Sequence, residues 1–105
     1  MAGRRMSLVI AGTFKVPPES REAFRPHMLA MLQASRAEDG CQEYAYAFDV
    51  AEPGLVRVFE VWRGLDDLEA HAGTSHMARW RDAWPRFGVC DRDLTAYEVE
   101  SSRPI

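Results

Sequence analysis

From Gln42 to Asp49 the chain reads QEYAYAFD, with Tyr44, Tyr46 and Phe48 on one parity and Glu43, Ala45 and Ala47 on the other. Strict alternation is the period of a half-buried strand, because successive side chains leave opposite faces of the backbone. After Val50 to Gly54, which contains the Pro53-Gly54 turn pair, Leu55 to Arg63 (LVRVFEVWR) is strand-like again. Two such runs across a short turn form an antiparallel hairpin. Every other segment has to be arranged around it.

Upstream of the hairpin, Ser7 to Lys15 (SLVIAGTFK) is apolar on both parities, the pattern of a central strand covered on both faces. Gly12 inside it marks a bulge or a close approach to the backbone. Val16-Pro17-Pro18 stops the strand, and from about Glu19 to Ala37 the residues Phe24, Met28, Met31, Leu32 and Ser35 recur at helical spacing. Glu19, Arg21, Glu22 and Arg25 take the other side. Pro26 removes one backbone hydrogen bond and predicts a kink or a restart, and Asp39-Gly40 ends the helix.

Downstream, Leu65 to Ala72 forms a short helix with Leu65, Leu68 and Ala72 inward. Gly73-Thr74-Ser75 interrupts it, and Thr74 or Ser75 caps a second helix in which Met77, Trp80, Trp84 and Phe87 share a face, with Pro85 loosening the last turn. Asp93 to Glu100 is a final strand. The order β-α-β-β-α-β is that of the ferredoxin-like split β-α-β: an α+β fold with a four-stranded antiparallel sheet and helices on one face. A length of 105 residues suits one domain, spanning 7–100 with residues 1–6 and 101–105 as tails. The strands carry large apolar residues on both parities, so the face without helices is expected to be covered by a second copy, making a homodimer.

Thirteen Lys plus Arg against sixteen Asp plus Glu give a net charge of -3, with no basic excess to bind nucleic acid. No run approaches the roughly 18 apolar residues of a membrane span. Arg4 and Arg5 precede a strand-like run without a secretory cleavage signal, so a cytoplasmic protein without membrane contact is expected. Cys41 and Cys90 lie far apart with no ligand spacing around them, which reads as two buried thiols rather than a zinc site or a disulfide.

Glu60 sits between Phe59 and Val61 on the parity of Val58 and Trp62, pointing into a semi-buried layer where a charge is costly unless paired. It reads either as a base or orienter with a raised pKa, or as a carboxylate held by Arg, Tyr or backbone. Trp62 reads as the wall of an aromatic pocket or as core. His71 and His76 flank the helix break, a geometry that points two imidazoles toward one cavity; imidazole is the side chain suited to proton transfer near neutrality. As metal ligands the pair lacks an evident third partner, so no metal is expected. His27 reads as surface or edge, and Met28, Met31, Trp80 and Trp84 as helix-to-sheet core. Arg36, at the end of the first helix, reads as a solvated cation, a partner for Glu60 or a stabiliser of an anion. No phosphate loop, nucleophile elbow or carboxylate dyad is present.

Several segments together carry a family likeness: Ala34-Ser35-Arg36-Ala37-Glu38-Asp39-Gly40-Cys41 followed by Tyr44, then Phe59-Glu60-Val61-Trp62, then Leu68-Glu69-Ala70-His71 and Thr74-Ser75-His76-Met77. From Leu8 to Glu100 the chain resembles the antibiotic biosynthesis monooxygenase family, including its quinol monooxygenase-like members. The resemblance implies a homodimeric α+β barrel that oxygenates electron-rich aromatic quinols, naphthols or polyketides with O2, without flavin, haem or metal. Such chemistry needs a site that deprotonates the ring hydroxyl, so that the substrate's own ring supplies electrons to O2.

The expected aromatic site is bounded by Tyr44, Trp62, His71, His76 and Trp80, with His71 or His76 as base and Arg36 or an amide holding the phenolate. Haem-degrading relatives of this fold use an asparagine on the first strand, which is absent, and a tryptophan about where His71 stands. Relatives that process phosphorylated signalling sugars would need clustered Arg and Lys, also absent. The competing reading is a dimeric, non-enzymatic module that binds a small hydrophobic ligand.

Overall fold

A computed structural model describes residues 7–105; residues 1–6, assigned above to a tail, lie outside the described residues. The elements are β1 (Ser7–Lys15), a 3-10 turn (Pro18–Ser20), α1 (Arg21–Arg36), β2 (Cys41–Phe48), β3 (Leu55–Trp62), α2 (Leu65–Ala72), α3 (Ser75–Phe87) and β4 (Cys90–Val99). They form one antiparallel sheet in the order β2-β3-β1-β4, the ferredoxin-like arrangement expected. Its hairpin pairs β2 with β3, and β1 is central. No helix among the described residues is long and apolar enough to cross a membrane.

Alternation sorts the sheet into two faces. Leu8, Ile10 and Phe14 of β1, Val56, Val58, Glu60 and Trp62 of β3, and Tyr44 of β2 are buried under the helices. Phe24, Met28, Met31 and Ser35 of α1 and Met77, Trp80 and Ala83 of α3 close the layer. Phe24 and Trp80 stack at 4.9 Å between ring centres, so the two long helices meet through aromatic faces. The opposite face stays open in the single chain: Phe59 is 40% and Tyr97 52% exposed, beside half-buried Val9, Ala11 and Val61.

Gly12 is where β4 comes closest. A Cβ there would collide with the Asp93 carbonyl oxygen, and the β1–β4 register shifts just beyond, between Thr13 and Lys15. The neighbour that requires this glycine is therefore backbone. Gly88 adopts a left-handed conformation (φ 76°) after α3, as a helix-ending glycine does.

Several expectations change. The first helix does not restart at Pro26 but runs through it from Arg21 to Arg36. The carbonyl that loses its partner belongs to Glu22, in the exposed first turn, where water can replace the bond. α3, by contrast, ends at Phe87, the last residue of its expected apolar face, with Pro85 in its final turn. In α2, Leu65 is 57% exposed and Ala72 is exposed; the buried residue is His71, with Leu68 half-buried beside it. An imidazole with partners for both nitrogens can replace an apolar side chain there. β4 starts at Cys90, earlier than Asp93, which leaves Cys90 exposed on an edge strand rather than buried. Cys41 is half-buried, and burial pushes its thiol up, away from the reactive thiolate.

Candidate functional site

The chemistry gathers where the loop after α1 meets the turn between α2 and α3. Thr74 builds that turn: its Oγ1 donates to the His71 carbonyl (2.8 Å) and accepts from Met77 N–H (3.3 Å), ending one helix and capping the next. His71 and His76 therefore project to one side, with ring centres 6.0 Å apart. Between them lies Glu38, which the sequence reading did not select. His71 Nδ1 is 2.6 Å and His76 Nε2 2.7 Å from the same oxygen, Oε2. A carboxylate only accepts, so both of these ring nitrogens carry protons.

In the neutral imidazole, that assignment leaves His71's other nitrogen as the lone-pair side. Nε2 stands 3.3 Å from Tyr44 Oη, which is 3.4 Å from Tyr46 Oη. Burial pushes both phenols well up, with each other's charge and that of Glu60 adding to the rise at Tyr44, so both stay protonated. A directional chain results: Tyr46 donates to Tyr44, Tyr44 to His71 Nε2, and His71 through Nδ1 to Glu38.

This chain borders a cleft of about 260 Å³ between the sheet and α2–α3. Tyr44, Tyr46, Glu60, His71 and Trp80 line it, and Ile10, Leu94 and Ala96 supply apolar sheet surface. Glu60 is 4% exposed and accepts a hydrogen bond from Trp62 Nε1 (2.9 Å). Burial raises its pKa, partly offset by that bond, by His71 and by Arg92. Arg81 and Arg92 stand at the cleft as the nearest cations.

The expected site residues thus divide. Tyr44, Glu60, His71 and Trp80 come together around the cleft. Trp62 is fully buried behind it, 4.6 Å from the His71 ring, a packing neighbour rather than a wall. His76 faces a separate depression shared with Pro26, His27, Met31 and Arg79 and reaches the cleft only through Glu38. Arg36 lies outside: its Nε donates to the Tyr44 backbone carbonyl (2.8 Å), and the bond to Glu60 considered for it is not formed. The missing third ligand also appears, since one atom each of Glu38, His71 and His76 lie within 4.8 Å of one another.

Glu38 is 33 residues from His71 and 38 from His76, so no local spacing could reveal it. Its only sequence signal is membership of the segment from Ala34 to Cys41 that carries the family likeness. Arg92 was hidden because the last strand was expected to begin after it.

Comparison with known proteins adds the family. Residues 7–83 match the family described as antibiotic biosynthesis monooxygenase. Rv0793 of Mycobacterium tuberculosis, provisionally named a monooxygenase, is 32% identical over 74 residues, 70% of this chain and 72% of that protein. YcnE of Bacillus subtilis, named in the same provisional way, is 32% identical over 69 residues, 66% of this chain and 73% of its own. A Deinococcus radiodurans structure, described provisionally as an antibiotic biosynthesis monooxygenase, superimposes with a TM-score of 0.86 at 28% identity. The match covers 93% of this chain and 97% of that one. By its sequence and its fold, this chain belongs to the antibiotic biosynthesis monooxygenase family.

Proposed function

We propose that the protein is a cofactor-independent monooxygenase that oxidises a small electron-rich aromatic, a quinol or naphthol, with O2. One observation carries the reading: His71 is held by Glu38 at Nδ1, so its Nε2 lone pair is presented at an aromatic-lined cleft. The 3.3 Å contact from Tyr44 Oη is long for an O–H donor, so a substrate hydroxyl can displace it. His71 then takes the phenolic proton, and Glu38 stabilises the imidazolium through a charge-assisted bond. The phenolate delivers electrons to O2 from its own ring: one oxygen atom bonds to a ring carbon and the O–O bond breaks. The second oxygen leaves as water with the ring's displaced hydrogen and the proton returned by His71, while the protein orients the ring and excludes bulk water.

Arg92 takes the role first considered for Arg36, stabilising the phenolate, because it stands at the cleft. Trp80 and the two tyrosines stack on the ring. At about 260 Å³, just below the roughly 300–1,000 Å³ of small-molecule sites, the cleft suits one or two fused rings better than a four-ring polyketide. The open face bearing Phe59 and Tyr97 supports a homodimer, and we place the protein in the cytoplasm.

The test is O2 uptake with menadiol-type and naphthol-type substrates, comparing the protein with a no-protein blank and with His71→Gln. Uptake well above the blank, falling about 10²–10⁴-fold in H71Q, is the expected result. Uptake equal to the blank across these aromatics would refute the enzymatic reading and leave the ligand-binding module. Uptake unaffected in H71Q would remove His71 as the base.

A further inference from the structure

We infer that Glu38, His71 and His76 form a binding site for one divalent first-row transition-metal ion. Two imidazole nitrogens and a carboxylate oxygen are a donor set that suits zinc, cobalt, nickel or iron(II). All three atoms lie within 4.8 Å of one another, and the two nitrogens already converge on the single oxygen Oε2. An ion about 2.0–2.1 Å from each donor sets them roughly 3 Å apart, so the two nitrogens, which lie within 4.8 Å, come to that spacing by rotation of the His76 ring, and the 2.6 and 2.7 Å spacings to Oε2 open by a few tenths of an ångström. Glu38 can supply that movement, because it lies in the turn after α1 and not within a helix.

The Thr74 turn sets both histidines on one side, so the two imidazoles reach the same carboxylate from fixed elements. The His71 side chain is 4% exposed, while those of His76 and Glu38 are 14% and 16% exposed. Such a site is sheltered on one side and open to water on the other, which leaves coordination positions for solvent. Entry is through the depression lined by His27, His76 and Arg79 rather than through the aromatic cleft.

Occupancy has a chemical consequence at the cleft, one that rests on the reading of His71 as base. A metal on Nδ1 displaces the proton there, and the neutral ring then carries its proton on Nε2. That N–H donates to Tyr44 Oη, and no lone pair remains facing the cleft. The bound ion therefore holds the enzyme in an inactive tautomer, and chelation releases it.

The experiment titrates cobalt(II) into chelator-treated protein, following the visible ligand-field bands, with zinc(II) as a competitor. The expected result is one ion per chain. Binding in His76→Ala should fall by more than the roughly 10–100-fold lost with an outer-sphere partner. His27→Ala should bind as the parent does, and melting curves should show both variants folded. In zinc-loaded protein, imidazole ¹⁵N NMR should place the His71 proton on Nε2.

No cobalt bands at millimolar metal, or equal affinity in H76A, would overturn the site. Full O2 uptake with zinc bound one per chain would leave the site standing and remove His71 as the base. Uptake without any metal binding would do the reverse.

Discussion

Removing Glu38 tests the arrangement most directly, because one carboxylate oxygen holds two imidazoles. In Glu38→Ala, His71 Nδ1 loses its partner inside a side chain only 4% exposed, where water cannot replace it, and is left unpaired in either tautomer of the neutral ring. An unsatisfied buried donor or acceptor costs about 1–3 kcal/mol. His76, at 14% exposure, can turn to solvent and loses about 0.5–1.5 kcal/mol, the ordinary net value of a hydrogen bond. The expected destabilisation is therefore about 2–4 kcal/mol. At about 4–8 °C per kcal/mol for a domain near this size, Tm falls by roughly 10–30 °C.

Glu38→Gln keeps an acceptor oxygen and loses only the charge, which roughly doubles a hydrogen bond's strength, so about half the loss is expected. Thermal and urea denaturation followed by circular dichroism give these numbers, and imidazole ¹⁵N shifts report the His71 tautomer. E38A should lose the Nδ1–H form while E38Q retains it. Stability of E38A within about 0.5 kcal/mol of the parent, together with unchanged His71 shifts, would show that Glu38 does not hold the ring.

Other consequences are open to measurement. Glu60 has a raised pKa through burial, so the folded state binds its proton more tightly than the unfolded chain does. Its contribution is most favourable below the ordinary carboxylate pKa and is lost as pH rises through the raised value. Glu60→Gln still accepts from Trp62 Nε1–H, so its stability relative to the parent should improve from about pH 4 to pH 7; a pH-independent difference would contradict the burial argument. Thr74→Ala removes the α3 cap and should cost about 1 kcal/mol in urea denaturation, with broadened His76 resonances as the turn loosens. Phe59→Glu places a charge on the open sheet face and should shift sedimentation from dimer to monomer with the monomer still folded; an unchanged sedimentation coefficient would locate the contact elsewhere.

How far the sequence reached can be argued from particular residues. Period-2 alternation in Gln42 to Asp49 and the 3.6-residue stripe from Phe24 to Ser35 are local codes for which face is buried, so the element order and strand topology were legible. Pro26 shows where a local rule yields. Its missing N–H matters only if the orphaned carbonyl is buried, and Glu22 lies in an exposed first turn. The inward side of α2 went the same way, because Leu65 outranks His71 on any apolar scale, and only partners from other elements reverse that order.

Those partners explain what the chain alone determined and what tertiary structure decided. Side-chain period and turn chemistry act over a few residues, so the strands, helices, Thr74 cap and general ferredoxin-like order follow from the chain read locally. The site depends on distances between segments more than 30 residues apart, which only the closed fold creates. Folding set Glu38 between two histidines, turned Arg36 away and brought Arg92 to the cleft. It also separated His76 from the pocket it was expected to share with His71, because the two rings meet through a carboxylate and not through a common cavity.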